Sequence, residues 1–517
     1  MMSGRWAHPT YVAPPSAGAT AVQEALERLP RFGRLELPEP NLHLQFHSSS
    51  LNVSDKHDIE FDGRGATLWF TPGHGVQLLD CTNVSISNLS IMYTTPTYSQ
   101  SRVVAINSSS SSFVVEMDHG FPPPDPRSWG SCLYPSCETN VLFFNPHSRK
   151  LLSPQIVDWL ANSTRLSNTS YLLSLAFGEA FKQPAWNRSQ FGVGTVVAVK
   201  SRIGYVTYHL RNTSMIRTSS LKIGGSGNMA VWELGGGGGN SYRALTVVPG
   251  LDEQYLASNF DGFHSEDVVR APSIVSSRFE HVGDDFFNFQ NSISVVLANY
   301  GNGTVVVADD SFNSTYGRSL PSGVEIDFFE PSRSVWRAEA LHKTTTSSSS
   351  RALCPNDWLD LVGNISIAFE ARYGWELTTF LSSGSTLVWA VDLAASPPVK
   401  VGYTSFMQVH TTVGALVQGN VFIDGASRVG AMNAPDSIVK GNYFEATKNG
   451  GILTSAEISW LSGNLGLHDV TIEANVFNAS CQNYLANYPY VQCTNNTDPI
   501  FNPSGARNIR VHDNLVV

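Results

Sequence analysis

Ala415-Leu-Val-Gln-Gly-Asn-Val-Phe422, Ser437-Ile-Val-Lys-Gly-Asn-Tyr-Phe444 and Val470-Thr-Ile-Glu-Ala-Asn-Val-Phe477 are copies of one pattern: alternating apolar residues, then Asn, one residue and Phe. Asn420 and Asn442 stand 22 residues apart, and Asn475 follows 33 later, which leaves room for a loop. A weaker fourth copy, Ile509-Arg-Val-His-Asp-Asn514, lies near the end of the sequence. Alternation over short runs punctuated by Gly and Asn reads as strands with one face inward. A recurring Asn suits a tight bend, because it tolerates left-handed backbone and bonds neighbouring main chain. Units of 20-odd residues that bury a face only by stacking make a solenoid. The fold class expected is therefore all-β, a right-handed parallel β-helix. A β-sandwich gives similar strands but leaves the Asn-x-Phe copies unexplained.

Similar strands lie upstream, at Ile59–Leu68, Val84–Ile91 and Ser273–Phe279. Residues 19–31 read as an amphipathic helix that caps the open N-terminal edge. The pattern breaks twice. Between about 112 and 200 come Pro122-Pro-Pro-Asp-Pro126, a Cys132/Cys137 loop and a helix-like stretch around Val157–Ala180. Between about 291 and 403 come strands such as Gly303–Ala308, Val324–Phe329 and Leu387–Val391, with the low-complexity run Thr344–Ser350. Both blocks read as inserted β-rich, barrel-like modules. The expected organisation is 1–111 cap and first coils, 112–200 insertion, 201–290 central coils, 291–403 insertion and 404–517 final coils. Gly235–Gly239 lacks the Lys-Ser/Thr of a phosphate loop and reads as a flexible loop.

In this chain of 517 residues, 42% are hydrophobic, enough for a large core. A net charge of −10 with no basic run argues against nucleic acid and anionic membrane partners. It also favours a neutral substrate over a polyanion. No apolar run is long enough to span a bilayer. Thirteen Asn-x-Ser/Thr sequons, among them Asn52, Asn83, Asn162 and Asn302, point to a secreted glycoprotein. Met1-Met-Ser-Gly-Arg-Trp6 has no apolar signal core, so the secretory leader is expected outside this sequence. Cys132 with Cys137 and Cys481 with Cys493 are the expected local bridges of an oxidising compartment, whereas Cys81 and Cys354 either pair or stay as buried thiols. No Cys/His spacing suggests a metal. No cofactor is expected, and the oligomeric state is not legible.

Within the central coils, Asn259-Phe-Asp-Gly262 and Gly283-Asp-Asp-Phe286 place Asp261 23 residues before Asp284 and 24 before Asp285. One coil of separation stacks the motifs on neighbouring rungs. Three carboxylates crowded together push at least one pKa upward, leaving a protonated acid beside ionised bases, which glycoside hydrolysis needs. The bland alternative is turn chemistry, where Asp and Gly are common. Asp284 and Asp285 share a site only at a bend, and Gly283 supplies one.

These features resemble the pectin-lyase-like β-helix hydrolases. Family 28 polygalacturonases have a similar Asn-x-Asp and Asp-Asp pair, but also a Gly-His-Gly one coil later and an Arg-x-Lys uronate grip. Here Gly73-His74-Gly75 lies upstream instead. A closer resemblance is to glycoside hydrolase family 110, inverting exo-α-galactosidases acting on terminal α-1,3-linked galactose. Ser258–His264, Phe279–Asn288, a barrel-like insertion, Arg428-Val-Gly430 and Glu457-Ile-Ser-Trp460 follow its order over about residues 200–480. The resemblance implies Asp284 as general acid, with Asp261 and Asp285 positioning water. Asn259, His264, Asn288, Arg428, Glu457 and Trp460 become the sugar contacts, and each has a structural alternative as bend, ladder, salt bridge or core residue. His209 and His281 read as structural. Phe260 and the Phe286-Phe287 pair are bulkier than the resemblance leads one to expect and would narrow the pocket.

Two rival functions remain. A calcium-dependent polysaccharide lyase or epimerase would use the aspartates as ligands and a Lys or Arg as base, but no basic residue is evident beside the triad. A non-catalytic carbohydrate-binding β-helix would keep binding after loss of any single Asp.

Overall fold

The computed structural model describes residues 10–12, 18–47, 50–107, 111–125, 139–152, 158–175, 191–201, 205–292, 294–309, 319–320, 325–331, 338–346, 350–352, 387–394, 404–407, 412–447, 451–454, 462–463, 467–478, 500–501 and 508–517. Three ribbons of parallel strands run through it. In the first, Arg34–Glu36, Glu60–Phe70, Ser85–Tyr93, Arg217–Ile223, Ser241–Arg243, Ser273–Val275, Leu416–Gln418, Ile438–Lys440, Thr471–Glu473 and Arg510–His512 pair in succession. One bend later Arg278–Glu280, Val421–Ile423, Tyr443–Glu445 and Val476–Asn478 stack in the second. The third carries Leu51–Ser54, Val76–Leu79, Tyr208–Arg211, Val231–Leu234, Phe263–Glu266, Phe287–Ser292 and Gly430–Met432. This is the parallel β-helix that the repeats predict.

The Asn-x-Phe copies work differently from the expectation. Left-handed backbone falls on the residue before each Asn: Gly419, Gly441, Ala474 and Asp513 have φ of 64°, 62°, 54° and 56°. The asparagines point inward instead. Asn420 donates to Ile274 O (2.9 Å) and Asn442 Oδ1 (3.0 Å), and Asn442 to Val417 O and Asn475 Oδ1 (both 2.9 Å). The ladder thus satisfies main-chain groups that the bend leaves inside the core. Beside it Phe279, Phe422, Phe444 and Phe477 stack at centroid spacings of 5.1, 5.0 and 4.9 Å.

The helix Ala19–Arg28 buries Val22 and Leu26 and packs on Leu51–Ser54 and His43–Phe46, as a cap should. Strands Ser99–Asn107, Ser112–Met117, Thr139–Phe144, Asp158–Arg165, Ser170–Leu175 and Val196–Ser201 close into a barrel around Phe113, Phe143 and Phe191. The barrel therefore begins at Ser99 rather than 112. The expected helix around Val157–Ala180 is an antiparallel strand pair over its described part. Tyr171, Leu173 and Leu175 are buried at alternate positions, a period of two that the apolar content concealed. The second insertion contributes an antiparallel sheet whose described strands run from Ser294–Asn299 to Thr404–Met407. Cys81 is a buried thiol, while the other five cysteines lie outside the described residues. Among the described residues no helix is long and apolar enough to cross a membrane.

The barrel is fastened to the coils that carry the aspartates. Leu151 N donates to the buried Asp424 Oδ2 at 2.7 Å, Lys150 pairs with Glu445 at 2.6 Å, and Tyr98 Oη accepts from the main-chain N–H of Tyr255 and Leu256 at 3.0 Å each.

Candidate active site

Pairing of Ser258 with Val282 and of Phe263 with Phe287 fixes a register of 24 residues between the two motifs. Asp285 therefore stacks directly on Asp261, and the pairing of Phe287 with Gly430 stacks Arg428 on Asp285. Each carboxylate accepts from the main chain of the next rung. Asp285 N donates to Asp261 Oδ1 at 3.3 Å, and Arg428 N donates to Asp285 Oδ1 at 3.1 Å. One carboxylate oxygen each of Asp261, Asp284 and Asp285 lies within 4.8 Å of the other two. Gly283 makes this stacking feasible: a Cβ there would meet Asn259 O at 2.3 Å and Ser258 O at 2.6 Å. Close rung-to-rung approach, beyond a simple bend, requires the glycine.

Cationic side chains stand against Asp285 and Asp261. The Arg428 guanidinium grips Asp285 through Nε (3.1 Å) and Nη2 (2.7 Å). The His264 Nδ1 sits 2.6 Å from Asp261 Oδ2, while its Nε2 lies 3.7 Å from Glu266 Oε2. Burial alone would lower the His264 pKa, but the hydrogen bonds and charges of Asp261 and Glu266 raise it to about 9. Gln290 Nε2 lies 3.0 Å from the same His264 Nε2, so a doubly protonated ring requires the amide to turn its oxygen there. Asp285 is pushed up to about 7, first by burial, against the Arg428 charge and with the help of Asp284 and Asp261. The crowding thus acts on Asp285, the member with almost no exposure, while Asp284 is half-buried. The 4.8 Å approach is tighter than the roughly 6.5–9.5 Å that separates acid and base in an inverting hydrolase.

The other candidates divide. Asn288 pairs in register with His264 on the next rung, and its buried Oδ1 has no hydrogen-bond partner. Asn259 is fully buried and donates to Thr97 O (3.0 Å) and Gly227 O (2.9 Å), the structural alternative to a sugar contact. Glu457 and Trp460 lie outside the described residues. His281 stands 3.2 Å from Asp424, at the barrel contact, and His209 lies two rungs before His264 on the same ribbon.

Two expectations are overturned. Phe286 and Phe287 do not narrow the site, because both rings are buried inside the solenoid against Phe422 and the side-chain-free Gly425 and Gly430. Basic groups do stand beside the triad: Arg428 and His264 touch it, and the buried Lys200 Nζ from the barrel lies 3.9 Å from the ring centroid of Phe260, next to Asp261. Lys200 was illegible because the barrel brings it in from 60 positions upstream. Glu266 was legible in principle, since it follows His264 by two residues and shares its strand face.

The fold and site define a parallel β-helix with a charge-compensated carboxylate triad across two rungs. A comparison with known protein families finds no match, and one with curated proteins finds none either. Among solved structures, the A-module of a mannuronan C-5 epimerase from Azotobacter vinelandii is similar, with a TM-score of 0.33 and 7% identity over 98% of this chain and 95% of that one. A likeness so distant bears on neither reaction nor substrate.

Proposed function

We propose that the chain is a secreted glycoside hydrolase that removes terminal, neutral sugars at Asp261, Asp284 and Asp285, with an inverting α-galactosidase as the specific expectation from the resemblance. The observation that carries the hydrolase reading is the stacked triad within 4.8 Å, with His264 on Asp261 and Arg428 on Asp285, while the inverting outcome rests on the resemblance alone. Asp284 is the most exposed of the three and is assigned as the acid that protonates the leaving oxygen. Asp261 and Asp285 flank the attacking water. Asp285 must be ionised to help activate the water, so turnover is expected to rise as pH climbs through about 7, where Asp285 loses its proton. Exposed sequon asparagines at Asn88, Asn107, Asn162, Asn168, Asn212 and Asn302 suit secretion.

The calcium-dependent lyase or epimerase gains from the same geometry, since three carboxylates within 4.8 Å match an oxygen-ligated cation. It loses more to the partners, because a guanidinium and an imidazolium already occupy two of those carboxylates and repel a divalent ion. The deciding experiment is hydrolysis of galactose-α-1,3-galactose by wild type and Asp284→Asn, with and without EDTA, read by NMR. Release of β-galactose, insensitive to EDTA and abolished by the substitution, supports an inverting hydrolase. Release of α-galactose would overturn inversion and match the short carboxylate spacing. An unsaturated product formed from a uronate-containing glycan only in the presence of calcium would replace the hydrolase reading with the lyase. No turnover at all would remove the galactosidase assignment.

A further inference from the structure

A second feature of the third ribbon points beyond the triad. Its register places Gln77, His209, Trp232, His264 and Asn288 in one column along the solenoid axis. The residues just before four of them, Tyr208, Val231, Phe263 and Phe287, are fully buried in the core, so by alternation the column faces outward. His209 and Trp232 are each partly exposed. Their rings stack at 5.4 Å and 22°, with His74 stacked beyond His209 at 6.0 Å. On the other side Trp232 meets the ring of His264 edge-on at 6.2 Å, and His264 holds Asp261. The aromatic row thus leads directly to the carboxylates.

Both nitrogens of His209, Nε1 of Trp232 and Oδ1 of Asn288 are shielded from solvent and have no hydrogen-bond partner. Buried polar groups are nearly always satisfied, and several unsatisfied ones along a single column ask for a missing partner. His209 and Trp232 offer outward ring edges and uncharged ring nitrogens, their faces being taken by one another, His74 and His264. Burial, with the nearby charges of His74 and Arg211, lowers His209 to about 4, so it carries no charge at neutral pH. Rings with uncharged donors and acceptors suit a polyol and give no purchase to a uronate or phosphate.

We infer that His209 and Trp232 form a subsite for the neutral sugar across the scissile bond from the one held at the aspartates. The inference rests on the glycosidase reading and makes the substrate at least a disaccharide, laid along the axis on the N-terminal side of the triad.

The test compares two substrates, galactose-α-1,3-galactose and an aryl α-galactoside that lacks the second sugar. In Trp232→Ala the ratio of kcat/KM for the disaccharide to that for the aryl glycoside is expected to fall about tenfold, carried by KM, as loss of one ring contact and one hydrogen bond implies. Trp232→Phe keeps a ring, loses the Nε1 donor and is expected to recover part of that loss. It carries the comparison if the alanine variant melts early. An unchanged ratio in both variants would overturn the subsite. Should wild type turn over neither substrate, saturation-transfer NMR with neutral oligosaccharides separates the two ideas. Binding that disappears in the Trp232 variants supports the subsite although the hydrolase reading has failed. Binding that survives them, or no binding to wild type, overturns it.

Discussion

Replacing His264 by Gln removes the cation wedged between Asp261 and Glu266, and the pH dependence of the damage is fixed in sign. A histidine whose pKa is raised on folding adds stability that is fully present below its unfolded value and disappears as pH climbs through its folded value. Here those limits are 6.5 and about 9. A shift of that size corresponds to about 3 kcal/mol. Removing one partner of a buried pair costs about 3–5 kcal/mol, so two independent routes agree on the scale. Urea unfolding of wild type and His264→Gln, followed by tryptophan fluorescence, gives the difference in stability at each pH. That difference is expected to be largest near about pH 6 and to shrink by about 3 kcal/mol toward pH 10. Asp285 also loses stability as pH rises through about 7, because its folded pKa is raised as well, and since it shares the Asp261 network the comparison is repeated in an Asp285→Asn background. A gap that stays constant with pH would refute the picture of a buried imidazolium and leave His264 as a neutral hydrogen-bonding ring.

Gly283→Ala should drive a methyl group into the Asn259 carbonyl, 2.3 Å from where its Cβ would lie, and push the second motif off the first. Overpacking of this kind costs about 1–3 kcal/mol, and turnover should fall by more than the thermal stability suggests, which an activity assay at saturating substrate beside a melting curve would reveal. Asn442→Ala should strand Val417 O and the N–H of Asn420 inside the core. At about 1–3 kcal/mol for each unsatisfied group, the loss should reach about 2–6 kcal/mol in a denaturation curve, with little change in KM because the ladder lies away from the triad.

What the sequence made legible followed from period. Asn420, Asn442 and Asn475 recur at coil length, and so do Asp261 and Asp285, so both the solenoid and the stacking of the aspartates could be read from spacing. What it concealed were relations that a period does not carry. The left-handed bend belongs to Gly419 and Gly441, and the neighbouring Asn attracts attention because its side chain has a second task, feeding hydrogen bonds into the core. Phe286 and Phe287 looked like obstacles because their size is visible in the sequence while their direction is not. Only the register with Gly425 and Gly430 turns them inward. The electrostatics were hidden most deeply. Arg428 reaches Asp285 across 143 positions, past an entire inserted module, and Lys200 arrives from another. Those contacts bear on the proposed chemistry, since three bare carboxylates would invite a divalent cation, whereas a guanidinium on Asp285 and a histidine ring on Asp261 disfavour one. Under the proposed reading, what weighs against a divalent cation is therefore Arg428, delivered by a later coil, and motif spacing alone is blind to it.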